Sequence, residues 1–489
     1  MKIELKLKDA WYWGSGFAML AMASISMYLD NPLPMLAVAL PLILLDRAYI
    51  IPVLLFIACI EGSFSSEDSS SQAESLAILF IGPLFIYDFF HHNKVKVPYK
   101  FVLLFLIFGI FVIWGTIVFK MNNDIEQYLA NVIIGASSLT TGVVVKSIMK
   151  VIKIAFFFFY LKSLINYDRS VLYRGLTIMK DFVPYLFVCI LADMVLFGAE
   201  TSKFDTLHFG EAKHGDFTAN LDALGYVLMI GIFEKSTTWF KRFVALCGVG
   251  MLFFMIMELA SRNGLLCLLL MGGIGGLVGI WHMEMGFKVL VVSAAVAAVG
   301  VGFYFFQDSP TIQRLIYYQE EREGGDRLAY WLGGALALQE EPFFGLGGNE
   351  AASYYAVDKY SPDADVEGHV MHNTFLEFAV EYGLVGECFY LVFIFIILYH
   401  AWKNFFFAIK YEDILLTVPS VAFFISIFAG LFVSRVWEST LWYNIVLTFA
   451  IYVLWRKPVE DALSKRKAYL IHGLPDPILD PSLPVRVVL

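Results

Sequence analysis

Long runs of apolar residues alternate with short polar segments along most of the chain. A helix that crosses a bilayer needs ~20 mostly apolar residues, and somewhat fewer where its polar ends reach the surface. The runs that meet this condition lie near residues 11–29, 33–45, 48–61, 74–90, 98–119, 147–165, 181–198, 217–234, 242–260, 263–281, 287–306, 384–402, 413–434 and 438–455. Because two of these runs are short and residues 126–146 could form an interfacial helix, we expect about twelve to fourteen spans.

The composition agrees with this pattern and narrows the class of protein. Of the 489 residues, 59% are hydrophobic and only 16% are charged. That is more apolar length than the core of one soluble protein could use. The predicted fold class is therefore all-α, a polytopic transmembrane helix bundle.

Positive charge predicts how the bundle is oriented. If Lys2, Lys6 and Lys8 are cytoplasmic, the segments on their side of the membrane hold most of the 35 lysines and arginines. Since cytoplasmic loops are normally the richer in these residues, both termini are expected in the cytoplasm. The five cysteines show no paired spacing, so we expect neither a disulfide framework nor a zinc site. No feature of the chain resembles a nucleic-acid-binding surface.

The longest hydrophilic segment, residues 307–371, falls outside the cytoplasm in this topology. Long polar loops are usually functional or disordered, and this one is rich in aromatic residues and motifs, which favours function. We expect N-terminal transmembrane helices in residues 1–210, transmembrane helices with an SRNG motif in 211–306, a large helical extracytoplasmic loop in 307–383, C-terminal transmembrane helices in 384–455 and a cytoplasmic tail in 456–489.

Arg327 is one candidate for binding an anion. Arg327, Trp331 and Ala335 recur at helical spacing until Pro342 ends the predicted helix, and glycines follow at 345, 347 and 348. A guanidinium at the mouth of the bundle can hold a phosphate with two parallel hydrogen bonds. The structural alternative is an ion pair with Glu323 or Asp326.

Arg262 is a second candidate, at the outer junction between two predicted spans. A charge in this position is costly and usually has a purpose. Glu258 lies four residues earlier, so on one continuous helix the two side chains would share a face and form a pair. The alternative is an arginine that extends to the lipid headgroups.

The stretch HVMHNTFLEFAVEYGLVG, residues 369–386, is unusually polar for its surroundings. On a helix from about His372, Asn373, Glu377 and Glu381 would form one polar stripe. His372 would then lie in the first turn, where the positive end of the helix dipole favours the neutral imidazole that can accept a proton as a general base. The alternative is a histidine with only a capping or interfacial role.

Other polar residues carry weaker signals. His369 and His372 have the spacing of metal ligands but no evident third ligand, so no metal site is predicted. Asp363 and Asp365 form a DxD pattern that is nearly uninformative within an acidic loop. Asp193 is predicted to be an intramembrane carboxylate. Such a residue often marks a functional site, but a role in hydrogen bonds that pack helices together explains it as well.

These motifs together resemble the O-antigen ligase and polymerase superfamily, bacterial membrane glycosyltransferases of the GT-C type. RLAYWLGGALALQEEPFFGLG (327–347) is similar to the family's arginine and tryptophan helix that ends in Pro-x-x-Gly-x-Gly. HNTFLEFAVEYGLVG (372–386) is similar to its His-Asn-x-x-Leu-Glu and Glu-x-Gly-x-x-Gly patterns, and SRNG (261–264) to its Ser-Arg-x-Gly. GDFTANLDALG (215–225) resembles a degraded form of a fourth motif of the family, Gly-x-Phe-x-x-x-Asn, with Ala219 where proline is common.

The resemblance implies that a glycan is transferred from undecaprenyl diphosphate to an acceptor hydroxyl on the outer face of the bacterial inner membrane, with inversion and without a metal or cofactor. The implied catalytic residues are Arg262 and Arg327, which hold the diphosphate, and His372, which takes the acceptor proton. The residues with implied roles in substrate binding or positioning are Asn373, Glu377, Trp331, Tyr330, Glu258 and Asn220. The implied partners are the lipid-linked donor, membrane lipids, and either lipid A core or another glycan as acceptor.

Two functions of other classes also fit a stack of apolar spans. A lipid-linked oligosaccharide flippase or other transporter usually concentrates its ionisable residues and broken helices near the bilayer midplane, whereas the notable residues here gather outside the spans. A structural membrane protein would need none of these motifs. Within the enzyme hypothesis, ligase and polymerase differ in their acceptor, and the sequence leaves both open.

Overall fold

The computed structural model of the protein is described for most of the chain. Apart from a few isolated positions, the described residues are 2–29, 31–61, 67–91, 96–122, 137–167, 169–197, 223–234, 237–258, 262–281, 323–348, 351–361, 370–411, 413–433 and 436–471. All regular secondary structure within these ranges is helical.

The longer helices follow the predicted apolar runs with few exceptions. Their bounds are Lys2–Leu29, Leu33–Leu45, Ile50–Glu61, Glu67–His91, Tyr99–Met121, Ser137–Asn166, Arg169–Phe197, Ala223–Phe233, Trp239–Glu258, Arg262–Trp281, Glu323–Glu340, Ala351–Tyr360, Thr374–Lys410, Val418–Ala429, Ser439–Ile451 and Lys457–Ile471. Among them, Tyr99–Met121, Trp239–Glu258, Arg262–Trp281 and Thr374–Lys410 contain stretches long and apolar enough to cross a membrane, and five shorter helices are also apolar. An all-helical fold with helices apolar enough to cross a membrane is thus confirmed for the described residues, whereas the transmembrane bundle and its twelve to fourteen spans stay predictions.

The expected interfacial helix at 126–146 is only partly consistent with the structure. Residues 137–146 belong to the same helix, Ser137–Asn166, as the span predicted at 147–165. The small polar residues before Lys146 are therefore compatible with a continuation of the apolar helix. The span predicted at 287–306 lies almost entirely outside the described residues.

Two hydrophobic cores meet at the helix Thr374–Lys410. The larger core lies in the bundle, where Phe108 contacts the rings of Phe378, Phe393 and Trp442 at centroid distances of 5.0–5.7 Å. Aromatic rings prefer such tilted and edge-to-face arrangements, which let large side chains fill the space between helices.

A smaller core joins the outer helices Glu323–Glu340 and Ala351–Tyr360 to the bundle. It contains Tyr330, Tyr355, Met371 and Val380, together with Phe119 of the helix Tyr99–Met121. The helix Glu323–Glu340 ends shortly before Pro342, which cannot continue a helix because it lacks a donor and clashes with the preceding turn. This smaller core places the outer helices directly beside His372.

Candidate functional site

His372 lies in a tight turn, residues 371–374, that we call the His372 turn. Its side chain is buried, and its backbone φ of +50° is in the left-handed region. Among the described residues other than glycine it is alone in having a positive φ. Such a conformation costs on the order of 1–3 kcal/mol and persists only where the surroundings hold it firmly.

Four hydrogen bonds hold the two ends of the His372 turn. Before His372, the Trp331 Nε1–H donates to the Met371 carbonyl oxygen at 3.0 Å, and the Met371 N–H donates to Ser353 Oγ at 3.0 Å. After it, the Thr374 N–H donates to the Gly430 carbonyl at 2.9 Å, and Thr374 Oγ1 donates to the Val433 carbonyl at 2.7 Å. The turn is thus clamped between the outer helices and the loop that follows Val418–Ala429.

The expectation that His372 lies in the first turn of a helix is wrong. The helix begins at Thr374, and Asn373 is its N-cap, whose Oδ1 accepts from the N–H groups of Phe375 and Leu376 at 3.1 Å. An asparagine favours this position because its side chain supplies the acceptor that the first helical N–H groups lack. His372 therefore precedes the cap, and Asn373 is not part of the expected helical stripe.

Glu377 and Glu381 do lie on the helix, as predicted, and both are buried. Glu377 is in the first turn, where the positive end of the helix dipole stabilises a negative charge. Buried carboxylates are costly unless they are satisfied by hydrogen bonds or counter-charges. The polar stripe therefore faces the interior, below the His372 turn.

The predicted helix that carries Arg327 and Trp331 is confirmed as Glu323–Glu340. Tyr330 is buried on it, with its ring 6.2 Å from the His372 ring, while Trp331 and Arg327 are half-buried. Arg327 lies four residues before Trp331, about one helical turn or ~6 Å along the axis, so the two side chains share one face of the helix. Because Trp331 bonds to Met371, this face is the one on the side of the His372 turn. The side chains of Glu323 and Asp326, its alternative ion-pair partners, lie outside the described residues.

The residues after this helix form a second contact with the helix Thr374–Lys410, which we call the glycine crossing. It joins residues 342–348 to residues 380–385, where the helix is broken by Gly383 with φ +69° and ψ −177°. Leu346 N–H and Gly347 N–H donate to the carbonyls of Val380 and Glu381, and Leu384 N–H donates to the carbonyl of Pro342, at 2.8–2.9 Å. The break in one segment is therefore paired with the irregular backbone of the other.

Glycine is required where the two backbones meet. A Cβ on Gly383 would lie 2.2 Å from the Phe343 carbonyl oxygen, and one on Gly345 would lie 2.5 Å from the Gly383 nitrogen. Both residues also have a positive φ, which glycine adopts without strain. The two glycine motifs noted in the sequence are thus two sides of one contact.

Arg262 is half-buried and is the first residue of the helix Arg262–Trp281. The described part of the preceding helix ends at Glu258, and residues 259–261 lie outside the described residues, as does the Glu258 side chain. The expected pair of Glu258 with Arg262 therefore stays a prediction. The helix of Arg262 packs against Val418–Ala429, which is followed by Gly430, a partner of Thr374. If successive spans alternate in direction as predicted, Arg262 lies at the same end of the bundle as His372.

Several predicted residues lie outside the described parts of the chain. These are Asn220, His369, Asp363 and Asp365, with the side chains of Glu258 and Asp193. Within the described parts, no group of three or more His, Cys, Asp or Glu residues has the arrangement of a metal site.

Comparison with known families places this geometry in context. Residues 246–391 match the model of the O-antigen ligase family. We call residues 246–391 the O-antigen ligase segment, after the family that they resemble. No curated protein matched the chain.

The O-antigen ligase segment runs from within the helix Trp239–Glu258 to within Thr374–Lys410. It contains Arg262, Arg327 and His372, whereas the fourth motif, at 215–225, lies before it. The family resemblance is confirmed for this segment, and it implies an enzyme of the membrane glycosyltransferase type.

Sequence reasoning missed the residues that hold the His372 turn of the O-antigen ligase segment. Asn373 and Thr374 directly precede an apolar helical run, which is a recognisable N-cap signal. Ser353 and the loop at 430–433 carried no such signal, because their contacts with residues 371 and 374 join segments far apart in the chain.

Proposed function

We propose that this protein transfers a glycan from undecaprenyl diphosphate to an acceptor hydroxyl during assembly of a bacterial cell-surface polysaccharide. The observation that carries the proposal is a buried histidine, held in a strained turn beside a tryptophan and arginine helix, within an O-antigen ligase segment. We further propose a GT-C architecture of twelve to fourteen spans in the inner membrane, with the site on the outer face.

His372 is the proposed general base. The acceptor oxygen attacks the anomeric carbon from the side opposite the diphosphate, the bond from carbon to the diphosphate oxygen breaks, and the configuration inverts. A sugar hydroxyl is far less acidic than an imidazolium, so its proton moves to His372 only as the new carbon–oxygen bond forms. Strain in the turn supports this role, since strained backbones concentrate at functional sites.

Arg327 and Arg262 are the proposed ligands of the diphosphate. Negative charge grows on this group as it leaves, and a guanidinium directed at that charge stabilises the transition state more than the ground state. In this scheme the arginines perform the task that metal ions perform in other transferases, and the reaction is metal-independent. Glu258 remains a proposed positioning residue for Arg262.

The neighbouring residues take proposed roles that differ from simple sugar binding. Trp331 directs its indole N–H to Met371, so it positions the His372 turn and leaves only its ring face for a sugar. Tyr330 packs beside the imidazole. Asn373 uses its amide oxygen as the helix cap, so only its Nδ2 remains for a substrate. Glu377 supports the turn from below, and Asn220 stays a proposed substrate ligand.

The proposal is tested by incubating the purified protein in liposomes with a lipid-linked glycan and an acceptor, with no second enzyme present. Conversion is expected, whereas the absence of turnover alongside movement of the glycan across the bilayer would indicate a transporter. His372→Ala should abolish transfer and remain folded. His91→Ala is the matched control, because His91 is exposed and stacks on Tyr87. Wild-type transfer by His372→Ala would exclude His372 as the base.

Arg327→Lys tests the second part of the mechanism. Lysine keeps the charge but cannot form two parallel hydrogen bonds with a phosphate, so we expect transfer to fall by roughly tenfold or more. Arg174→Lys serves as control, since Arg174 is exposed and pairs with Asp46 at 2.9 Å. Full activity of Arg327→Lys would reduce Arg327 to a structural residue.

The acceptor distinguishes the two enzymes of the family. Deletion of the gene should leave full-length chains on the carrier lipid if the protein is a ligase, and single repeats on a capped acceptor if it is a polymerase. Sizing the surviving glycans by gel electrophoresis separates these outcomes.

A further inference from the structure

The outward side of the glycine crossing is strongly apolar. Phe343 and Phe344 are 65% and 54% exposed, and they lie beside Leu384 and Val385, which are 45% and 47% exposed. The Phe344 ring also contacts Trp114, with centroids 5.4 Å apart. Exposed apolar patches of this kind mark an interaction surface.

This surface is continuous with the lipid-facing sides of two apolar helices. Along Thr374–Lys410, the exposed positions continue from Leu384 and Val385 through Cys388, Val392 and Phe395. Along Tyr99–Met121, they include Leu106, Ile110, Ile113 and Ile117.

The crossing also packs against the helix Tyr99–Met121, at residues that precede its C-terminal end. Gly348 N–H donates to the carbonyl of Gly115 at 3.0 Å, and Gly347 packs against the backbone of Phe119. Gly115 lies about six residues, or ~9 Å, before the end of a 23-residue apolar helix that is about as long as the hydrocarbon core is thick. If the helix Tyr99–Met121 crosses the bilayer, as predicted, the loop 342–348 packs against a part of it that lies within the hydrocarbon.

Irregular backbone at that depth is stable only if its polar groups are satisfied within the protein. The central N–H groups of the crossing meet this condition. The N–H groups of Gly345, Leu346, Gly347 and Gly348 donate to the carbonyls of Glu341, Val380, Glu381 and Gly115. Leu384 N–H and Val385 N–H donate in return to the carbonyls of Pro342 and Phe343, the latter at 3.4 Å. This internal pairing is compatible with contact between the loop and hydrocarbon.

We propose that the loop 342–348 is inserted into the bilayer and that Phe343 and Phe344 contact lipid acyl chains. The partner of this surface is the hydrocarbon of the leaflet on the side of the His372 turn. Because the crossing is joined to both Glu323–Glu340 and Thr374–Lys410, its insertion sets the height of Arg327 and His372 above the membrane. The inference does not depend on the reaction proposed above.

The test uses spin labels on full-length protein in phosphatidylethanolamine and phosphatidylglycerol liposomes. The native cysteines are replaced by alanine, and one label is attached in turn at Phe343→Cys, Phe344→Cys, Gln339→Cys or restored Cys388. Accessibility to oxygen, which concentrates in lipid, is compared with accessibility to a water-soluble nickel chelate. Cys388 is the lipid reference on the exposed side of a span, and Gln339 is the water reference at the exposed end of the outer helix.

Labels at 343 and 344 should give oxygen-to-nickel accessibility ratios close to that of Cys388 and at least several-fold above that of Gln339. A ratio nearer to that of Gln339 at both positions would overturn the proposal. Two positions are labelled so that the test survives if one substitution prevents folding. Each variant must first show the same melting temperature as the cysteine-free parent. Glycan transfer is not the readout, so failure here is distinct from failure of the proposed reaction.

Discussion

The His372 turn and the glycine crossing flank the same short helical segment, residues 374–382, but they are built in different ways. The turn is held largely by side chains. Those of Trp331 and Ser353 bond to the Met371 backbone, and the Thr374 hydroxyl donates to the Val433 carbonyl. The crossing is held by backbone groups that pair directly, with glycines where a Cβ would collide.

This difference predicts which of the two regions tolerates amino-acid substitutions. Removing one side-chain hydrogen bond weakens the turn by a limited amount, because the other bonds remain. Adding one carbon to the crossing displaces a backbone, because the atom that it meets cannot rotate away. We therefore expect graded effects at the turn and an all-or-none effect at the crossing.

Gly383→Ala should have the largest effect. The backbone at φ +69° and ψ −177° is accessible almost only to glycine, so the strain alone costs about 3 kcal/mol, and the Cβ would lie 2.2 Å from the Phe343 oxygen. We expect a large drop in the melting temperature in detergent and rapid proteolysis of residues 323–383.

The matched control is Gly276→Ala, because a Cβ at Gly276 meets no atom within 4 Å. That variant should melt at or above the temperature of the parent protein. Equal melting temperatures for the two variants would show that the close contact at Gly383 is not needed for stability.

Thr374→Val should have an intermediate effect. Valine has nearly the same shape, but it leaves the buried Val433 carbonyl without its hydroxyl donor, which costs about 1–3 kcal/mol. Thr374→Ser keeps the hydroxyl and should recover most of the stability and activity. Chemical denaturation and glycan transfer measure the two quantities. A loss in Thr374→Ser with none in Thr374→Val would instead assign the role of Thr374 to its methyl group.

Asn373→Ala should have the smallest effect of the three, a loss of about 1 kcal/mol from the missing N-cap. Asn373→Ser retains a capping oxygen and should restore the stability. The comparison also separates the cap from substrate binding. If serine restores the melting temperature but not glycan transfer, Asn373 binds substrate through its Nδ2, as the family resemblance first implied.

Much of the helical arrangement could be predicted from local pattern. The runs at 98–119 and 263–281 became the helices Tyr99–Met121 and Arg262–Trp281, and the spacing of Arg327, Trp331 and Ala335 correctly indicated a helix that ends before Pro342. These predictions succeed because hydrophobicity and backbone propensity act over a few residues.

Predictions that required contacts between segments were less successful. The pairing of Glu258 with Arg262 stays a prediction, because residues 259–261 lie outside the described part of the chain. His372 was expected in the first turn because the helix was predicted to begin at about this residue, whereas Asn373 caps a helix that begins two residues later. The stripe of Glu377 and Glu381 was read correctly from the same spacing.

The sequence by itself determined the class of the protein, its apolar helices, the breaks at proline and glycine, and the family of residues 246–391. These features depend on composition and on neighbours along the chain. Only the tertiary structure decided that Trp331 and Val433 meet the ends of one turn and that two glycine motifs interlock. The physical reason is that a hydrogen bond or a backbone contact between distant segments depends on how helices pack, which no local pattern of residues records.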